Sequence, residues 1–147
     1  MNKIIITGGL GHIGSFLIEK ILKEKKNIHL IVIDNLSSQR IFSLFNLKTY
    51  TNKISFYDFD ITKKKISTVT KNAKIIIHLS AATDAEKSLG REKEYLNNNL
   101  RGTSEVVKFA KLYKIPLIFP SSTSVYGKME KDSILYEDSL NQLFPQS

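Results

Sequence analysis

The chain has 147 residues, 41% apolar and 24% charged, with no cysteine and a formal net charge of +8. That size and composition describe one soluble globular domain with a single core. The absence of cysteine excludes disulfides and thiolate zinc sites, and His12, His29 and His78 show no metal-ligand spacing, so no metal is expected. Each of these histidines is expected at the surface or partly buried. The charge excess is nearly all lysine, scattered as in Lys23-Glu24-Lys25-Lys26 and Lys63-Lys64-Lys65, with only Arg40, Arg91 and Arg101 beside it. Aromatic residues do not interleave with a basic stripe, so solvated lysine-rich faces are expected and no nucleic-acid partner. No apolar stretch approaches the roughly eighteen residues of a membrane span. The first apolar run, Ile4-Ile5-Ile6, stops at Thr7-Gly8-Gly9, too soon for a signal peptide. A cytoplasmic protein with no membrane partner is expected.

Strand-like and helix-like segments alternate along the chain. Residues 3–7 read as a first strand and 13–26 as a first helix. Residues 28–33 form a second apolar strand, ending at Asp34-Asn35. The stretch 35–52 is less regular, with a short helix near 40–47. Residues 53–59 alternate as a third strand, and 62–72 read as a lysine-rich helix. Residues 74–79 form a fourth strand, 92–113 the longest helix and 115–120 a fifth strand. Short, Ile-rich apolar strands fit a parallel sheet buried on both faces. Repeated βα units with right-handed crossovers predict an α/β doubly wound sheet, a Rossmann fold.

The glycine-rich stretch Thr7-Gly8-Gly9-Leu10-Gly11-His12-Ile13-Gly14 lies between the first strand and the first helix. In that setting Gly8 allows a tight turn at positive φ, Gly11 lets the backbone approach a pyrophosphate, and Gly14 lets the helix pack closely. The first helical residues, His12 and Ile13, present N–H groups and the positive end of the helix dipole to phosphates. Asp34 follows Gly14 by about twenty residues, at the end of the second strand, where an acidic side chain accepts hydrogen bonds from ribose hydroxyls. A 2′-phosphate there would meet a like charge, at a cost of roughly 1–4 kcal/mol at 4 Å. NAD is therefore expected over NADP. A turn-forming Asp-Asn pair is the structural alternative for the same residues.

Further motifs follow in order: Asp34-Asn35-Leu36, Asp60-Ile61, His78-Leu79-Ser80-Ala81-Ala82, Tyr95-x-x-x-Asn99-Leu100-x-Gly102-Thr103 and Ser121-Ser122-Thr123-Ser124-Val125-Tyr126-Gly127. Together with the glycine turn they resemble the NAD-dependent epimerase/dehydratase family of nucleotide-sugar enzymes, within the extended short-chain dehydrogenase/reductase superfamily. The resemblance implies that residues 1–147 are an NAD-binding Rossmann domain, incomplete at its C-terminus, with the substrate-binding region absent. It implies that Asp34 and Asn35 bind the ribose end, that Asp60 and Ile61 hold the adenine, and that Leu79, Ser80 and Ala81 line the cofactor. It gives Asn99 the task of organising the cofactor side of the site, and Ser122 that of a catalytic hydroxyl. Asp60 also reads as a helix N-cap before Thr62.

Dehydratases of the family commonly carry Asp and Glu after the catalytic hydroxyl. Here Thr123 and Ser124 stand there, which favours epimerisation or simple oxidation-reduction. The family's catalytic Tyr-x-x-x-Lys motif occurs nowhere among the 147 residues. The intact relative is expected to bind NAD and a nucleotide sugar and to form a homodimer, and these residues alone to show negligible turnover. A non-catalytic NAD-binding module completed by another chain is the second reading; a nucleotide-sugar dehydratase or reductase is a third.

Overall fold

The structure is a computed structural model, and it describes residues 1–38, 50–83 and 90–121. Five strands form one parallel sheet: β1 (Asn2–Thr7), β2 (Ile28–Asp34), β3 (Ile54–Asp58), β4 (Ile75–His78) and β5 (Leu117–Ile118). Their order across the sheet is β3-β2-β1-β4-β5. The chain winds outward from β1 to β3, then returns across the sheet to place β4 on the other side of β1. The crevice between the carboxyl ends of β1 and β4 is therefore the switch point at which open α/β sheets bind ligands.

Alternation along the central strands divides the core between two faces. Ile5, Ile31, Ile33 and Ile76 pack with Val106, Phe109 and Ala110 of α2 (Glu92–Tyr113). Ile6, Leu30 and Val32 pack with Ile18 and Leu22 of α1 (His12–Glu24). Since successive side chains of a strand point to opposite faces, a run such as Ile4-Ile5-Ile6 supplies both layers at once. Full burial of each such side chain is worth about 1.5–3 kcal/mol. Gly14, Ile18 and Leu22 recur every four residues and give α1 one buried stripe.

The elements fall close to their expected positions, and the longest helix matches at both ends. The helix expected over 62–72 is absent. A turn follows Asp60, and a 3-10 turn spans Ile66–Thr68. Three successive lysines repel one another, and Ile66, Thr68, Val69 and Thr70 are β-branched, which lowers helix propensity. The short helix expected near 40–47 lies outside the described residues.

Candidate functional site

The carboxyl ends of β1, β2 and β4 are laced together by backbone bonds. Gly8 N–H donates to Ile33 O at 2.8 Å, and Leu79 N–H donates to Thr7 O at 2.9 Å. Three of the turn's four glycines, Gly8, Gly11 and Gly14, then answer to different demands. Gly8 has φ 67°, and a Cβ there would lie 2.6 Å from Ser80 N and 2.7 Å from the Leu79 carbonyl carbon. It is required by conformation and by the close approach of the β4 exit. A Cβ on Gly14 would lie 2.6 Å from the carbonyl oxygens of both Gly8 and Gly9, so at this position α1 packs on the turn itself.

Gly11 differs from both. It is the N-cap of α1, with φ −63° and no side-chain cap. Among the described residues, a Cβ there would meet only Gly8 O, at 3.3 Å. Its backbone angles suit any residue, and among the described residues that one tight contact is all that crowds a side chain. Among the described residues, the turn therefore opens at the N-terminus of α1, where first-turn N–H groups lack intrahelical partners. His12 and Ile13 are exposed at this opening.

Asp34 is only 8% exposed at the end of β2. Its Oδ2 accepts the Leu10 N–H at 3.0 Å, and its Oδ1 accepts the Leu36 N–H at 2.9 Å. The carboxylate thus ties the glycine turn to the β2 exit and closes an Asx-type turn over Leu36, which sits at φ 57°. Each oxygen keeps a further lone pair for a ligand. Asn35 is exposed, its Oδ1 accepting the Ser37 N–H at 3.1 Å.

Asp60 accepts the N–H and the hydroxyl of Thr62 through Oδ1, both at 2.8 Å, so it caps a turn rather than a helix. Burial pushes its carboxyl up, but the two Thr62 bonds and the Lys63 ammonium outweigh this and hold it below the usual carboxylate range. The Ile61 side chain is buried under α2, where a Cβ on Gly102 would lie 3.3 Å from it. Gly102 therefore lets the helix sit close to this loop.

Beyond β4, Leu79 and Ser80 are half-buried and Ala81 is exposed. Asn99 reaches this loop from α2. Its Oδ1 accepts the Ala82 N–H at 2.7 Å and its Nδ2 donates to Ala82 O at 3.0 Å. Gly8, Gly11, His12, Ile13, Gly14, Asp34, Asn35, Asp60, Ile61, Leu79, Ser80, Ala81 and Asn99 all follow the carboxyl ends of strands or face the β4 exit from α2. Ser122 lies outside the described residues.

Three contributions escaped the sequence reading. A Cβ on Gly9 would lie 2.5 Å from Val32, so the turn needs a second glycine for packing. Leu10 supplies the N–H that orients Asp34. His78, expected at the surface or partly buried, is 1% exposed. Its Nδ1 lies 2.6 Å from Thr7 Oγ1, its Nε2 lies 3.1 Å from Thr103 Oγ1, and its ring stacks on Phe119. Burial holds this imidazole below its ordinary pKa, in the neutral form. The available signal was a polar residue ending each of two Ile triplets, Ile4–Ile6 before Thr7 and Ile75–Ile77 before His78, strands that pair Thr7 with His78.

A doubly wound parallel sheet, with a glycine turn at its switch point and an acidic residue closing β2, defines a dinucleotide-binding type of α/β protein. The NAD dependent epimerase/dehydratase family matches residues 4–146, and the chain belongs to it. UDP-glucose 4-epimerase of Neisseria meningitidis serogroup C is 33% identical over 134 residues, covering 86% of this chain and 38% of the relative. The solved UDP-glucuronic acid 4-epimerase of Bacillus cereus, in complex with UDP-glucuronic acid and NAD, is 28% identical with a TM-score of 0.81. That match covers 98% of this chain and 46% of the other. The dTDP-glucose 4,6-dehydratase of Bacillus anthracis in complex with NAD shares the fold, with 22% identity and a TM-score of 0.84 over 100% of this chain and 45% of that one. The chain thus spans less than half the length of these proteins. Among the described residues, no helix is long and apolar enough to cross a membrane.

Proposed function

We propose that the crevice between β1 and β4 holds NAD, and that the chain is the dinucleotide-binding part of a nucleotide-sugar 4-epimerase. The observation that carries this is Gly11. Gly8 and Gly14 are required by the protein's own backbone, whereas at Gly11 a Cβ would meet, among the described residues, a single atom, Gly8 O, at 3.3 Å. A glycine at the uncapped start of α1 is what a close-approaching pyrophosphate needs.

Around that point, the α1 N-terminus at His12 and Ile13 receives the phosphates, and Asp34 with Asn35 receives the adenosine ribose. Asp60 and the backbone of Ile61 hold the adenine; Leu79, Ser80, Ala81 and Asn99 line the remainder. NAD, when bound, supplies a hydride acceptor and donor. Ser122 hydrogen-bonds the substrate oxygen. Thr123 and Ser124, in place of an acidic pair, favour epimerisation over dehydration. These residues hold no Tyr-x-x-x-Lys base, whose loss alone costs about 10²–10⁴ in rate, so turnover by the 147 residues is negligible. We further propose that the protein is cytoplasmic and homodimeric, which cell fractionation and sedimentation would test.

Calorimetric titration with NAD and NADP tests the cofactor. The fixed Asp34 carboxylate should favour NAD by at least about tenfold, or ~1.4 kcal/mol. Asp34→Asn, which keeps the volume and one acceptor oxygen, should narrow that ratio. Asp34→Ala is less informative, because it also strands the buried Leu10 N–H. A folded chain that takes up no NAD, or binds NADP equally well, contradicts the proposal.

A further inference from the structure

We propose that α2 is a clamp on the β4 exit, with His78 and Thr103 as positioning residues that, together with Asn99, hold Leu79–Ser80–Ala81 in place for the dinucleotide. This rests on the NAD reading above. Asn99 and Thr103 lie one helical turn apart and face the same way. Thr103 reaches His78, the residue before the lining segment, and Asn99 reaches both backbone polar groups of Ala82, the residue after it. The segment is therefore fastened at both ends to one rigid helix.

The opposite side is fastened as well. Gly8 leaves no room for a Cβ against Ser80 and Leu79, and Leu79 N–H donates to Thr7 O. The His78 ring bonds Thr7, the residue that opens the glycine turn, so one imidazole joins the phosphate turn, the β4 exit and α2. A neutral ring serves this purpose, since one nitrogen donates, the other accepts, and a threonine hydroxyl does either. Thr7 is 0% and His78 1% exposed, so both act through the segment rather than by touching a ligand. Small displacements matter at such a site: a shift of about 1 Å costs on the order of 10²-fold where geometry is demanding.

Three variants of the 147-residue chain test the clamp. Thr103→Val removes the hydroxyl but keeps the shape, and Thr103→Ser restores the hydroxyl. Ser55→Ala removes a comparable half-buried bond, Ser55 Oγ to His29 Nε2 at 2.8 Å, near the far ends of β2 and β3. Thr103→Val should weaken NAD binding about tenfold. It should also speed hydrogen exchange at the Leu79 and Ala82 amides beyond its effect on global unfolding. Thr103→Ser should recover both, and Ser55→Ala should lower stability while leaving both at wild-type values. The clamp is refuted if the Leu79 and Ala82 amides follow only global unfolding. It is equally refuted if NAD affinity is unchanged in Thr103→Val, or falls as much in Ser55→Ala. Failure of the wild-type chain to take up NAD would instead sink the cofactor proposal, and the two amides would still decide whether the clamp exists.

Discussion

Placing a methyl group at Gly8 or at Gly11 should separate folding from binding. At Gly8 an alanine must adopt φ 67°, and its Cβ would lie 2.6 Å from Ser80 N, a backbone atom that cannot swing aside. The left-handed conformation costs about 1–2 kcal/mol and overpacking about 1–3, together ~2–5 kcal/mol. For a domain of this size that lowers Tm by roughly 5–15 °C. At Gly11 the backbone already has φ −63°, and among the described residues the new Cβ meets only Gly8 O, at 3.3 Å. The expected loss is about 1 kcal/mol, from a poorer N-cap and the one tight contact with Gly8 O. The same methyl would project into the proposed pyrophosphate site, so NAD affinity should fall about 10–100-fold. Thermal unfolding and calorimetric titration of both variants read the two effects separately. If Gly11→Ala binds NAD like wild type, or Gly8→Ala is as stable as wild type, the assignment of roles within the turn is wrong.

Two further outcomes concern stability. The buried His78 imidazole has a pKa below the ordinary value near 6.5, so the unfolded chain takes up its proton before the folded chain does. Its contribution is full above that value and is lost as pH falls below it, at no more than about 1.4 kcal/mol per pH unit. Urea midpoints from pH 8 to 5 should show this fall, and His78→Asn should flatten it. At the other end of the sheet Lys114 closes α2 at φ 52°, with Ile115 N–H donating to Ala110 O at 2.9 Å. Lys114→Gly should relieve the left-handed strain and raise stability by about 0.5–1 kcal/mol in thermal melts, with NAD affinity unchanged.

Much of the fold is local in origin and could be read from the chain. The Ile triplets announce strands buried on both faces, and the spacing of Gly8, Gly11 and Gly14 between a strand and a helix places the turn. The C-terminal half of α2 carries a legible apolar stripe of Val106, Phe109 and Ala110. What could not be read depends on pairing. That Asp34 spends one lone pair on Leu10 and another on Leu36 follows only once the turn folds over the end of β2. The joining of Thr7, His78 and Thr103 needs the β1–β4 register, which brings together residues 71 positions apart. The helix expected at 62–72 failed for a local reason: lysine repulsion and β-branching outweighed a weak apolar pattern.

The location of the dinucleotide is the central claim, and amide shift mapping tests it most directly. NAD titrated into the isotopically labelled chain should move the amides of Gly8 to Gly14, Leu36 and Leu79 to Ala82. It should leave Asn27, Lys74 and Lys114, at the opposite ends of the strands, in place. Shifts confined to those distant residues, or no shifts at all from a folded chain, would contradict it.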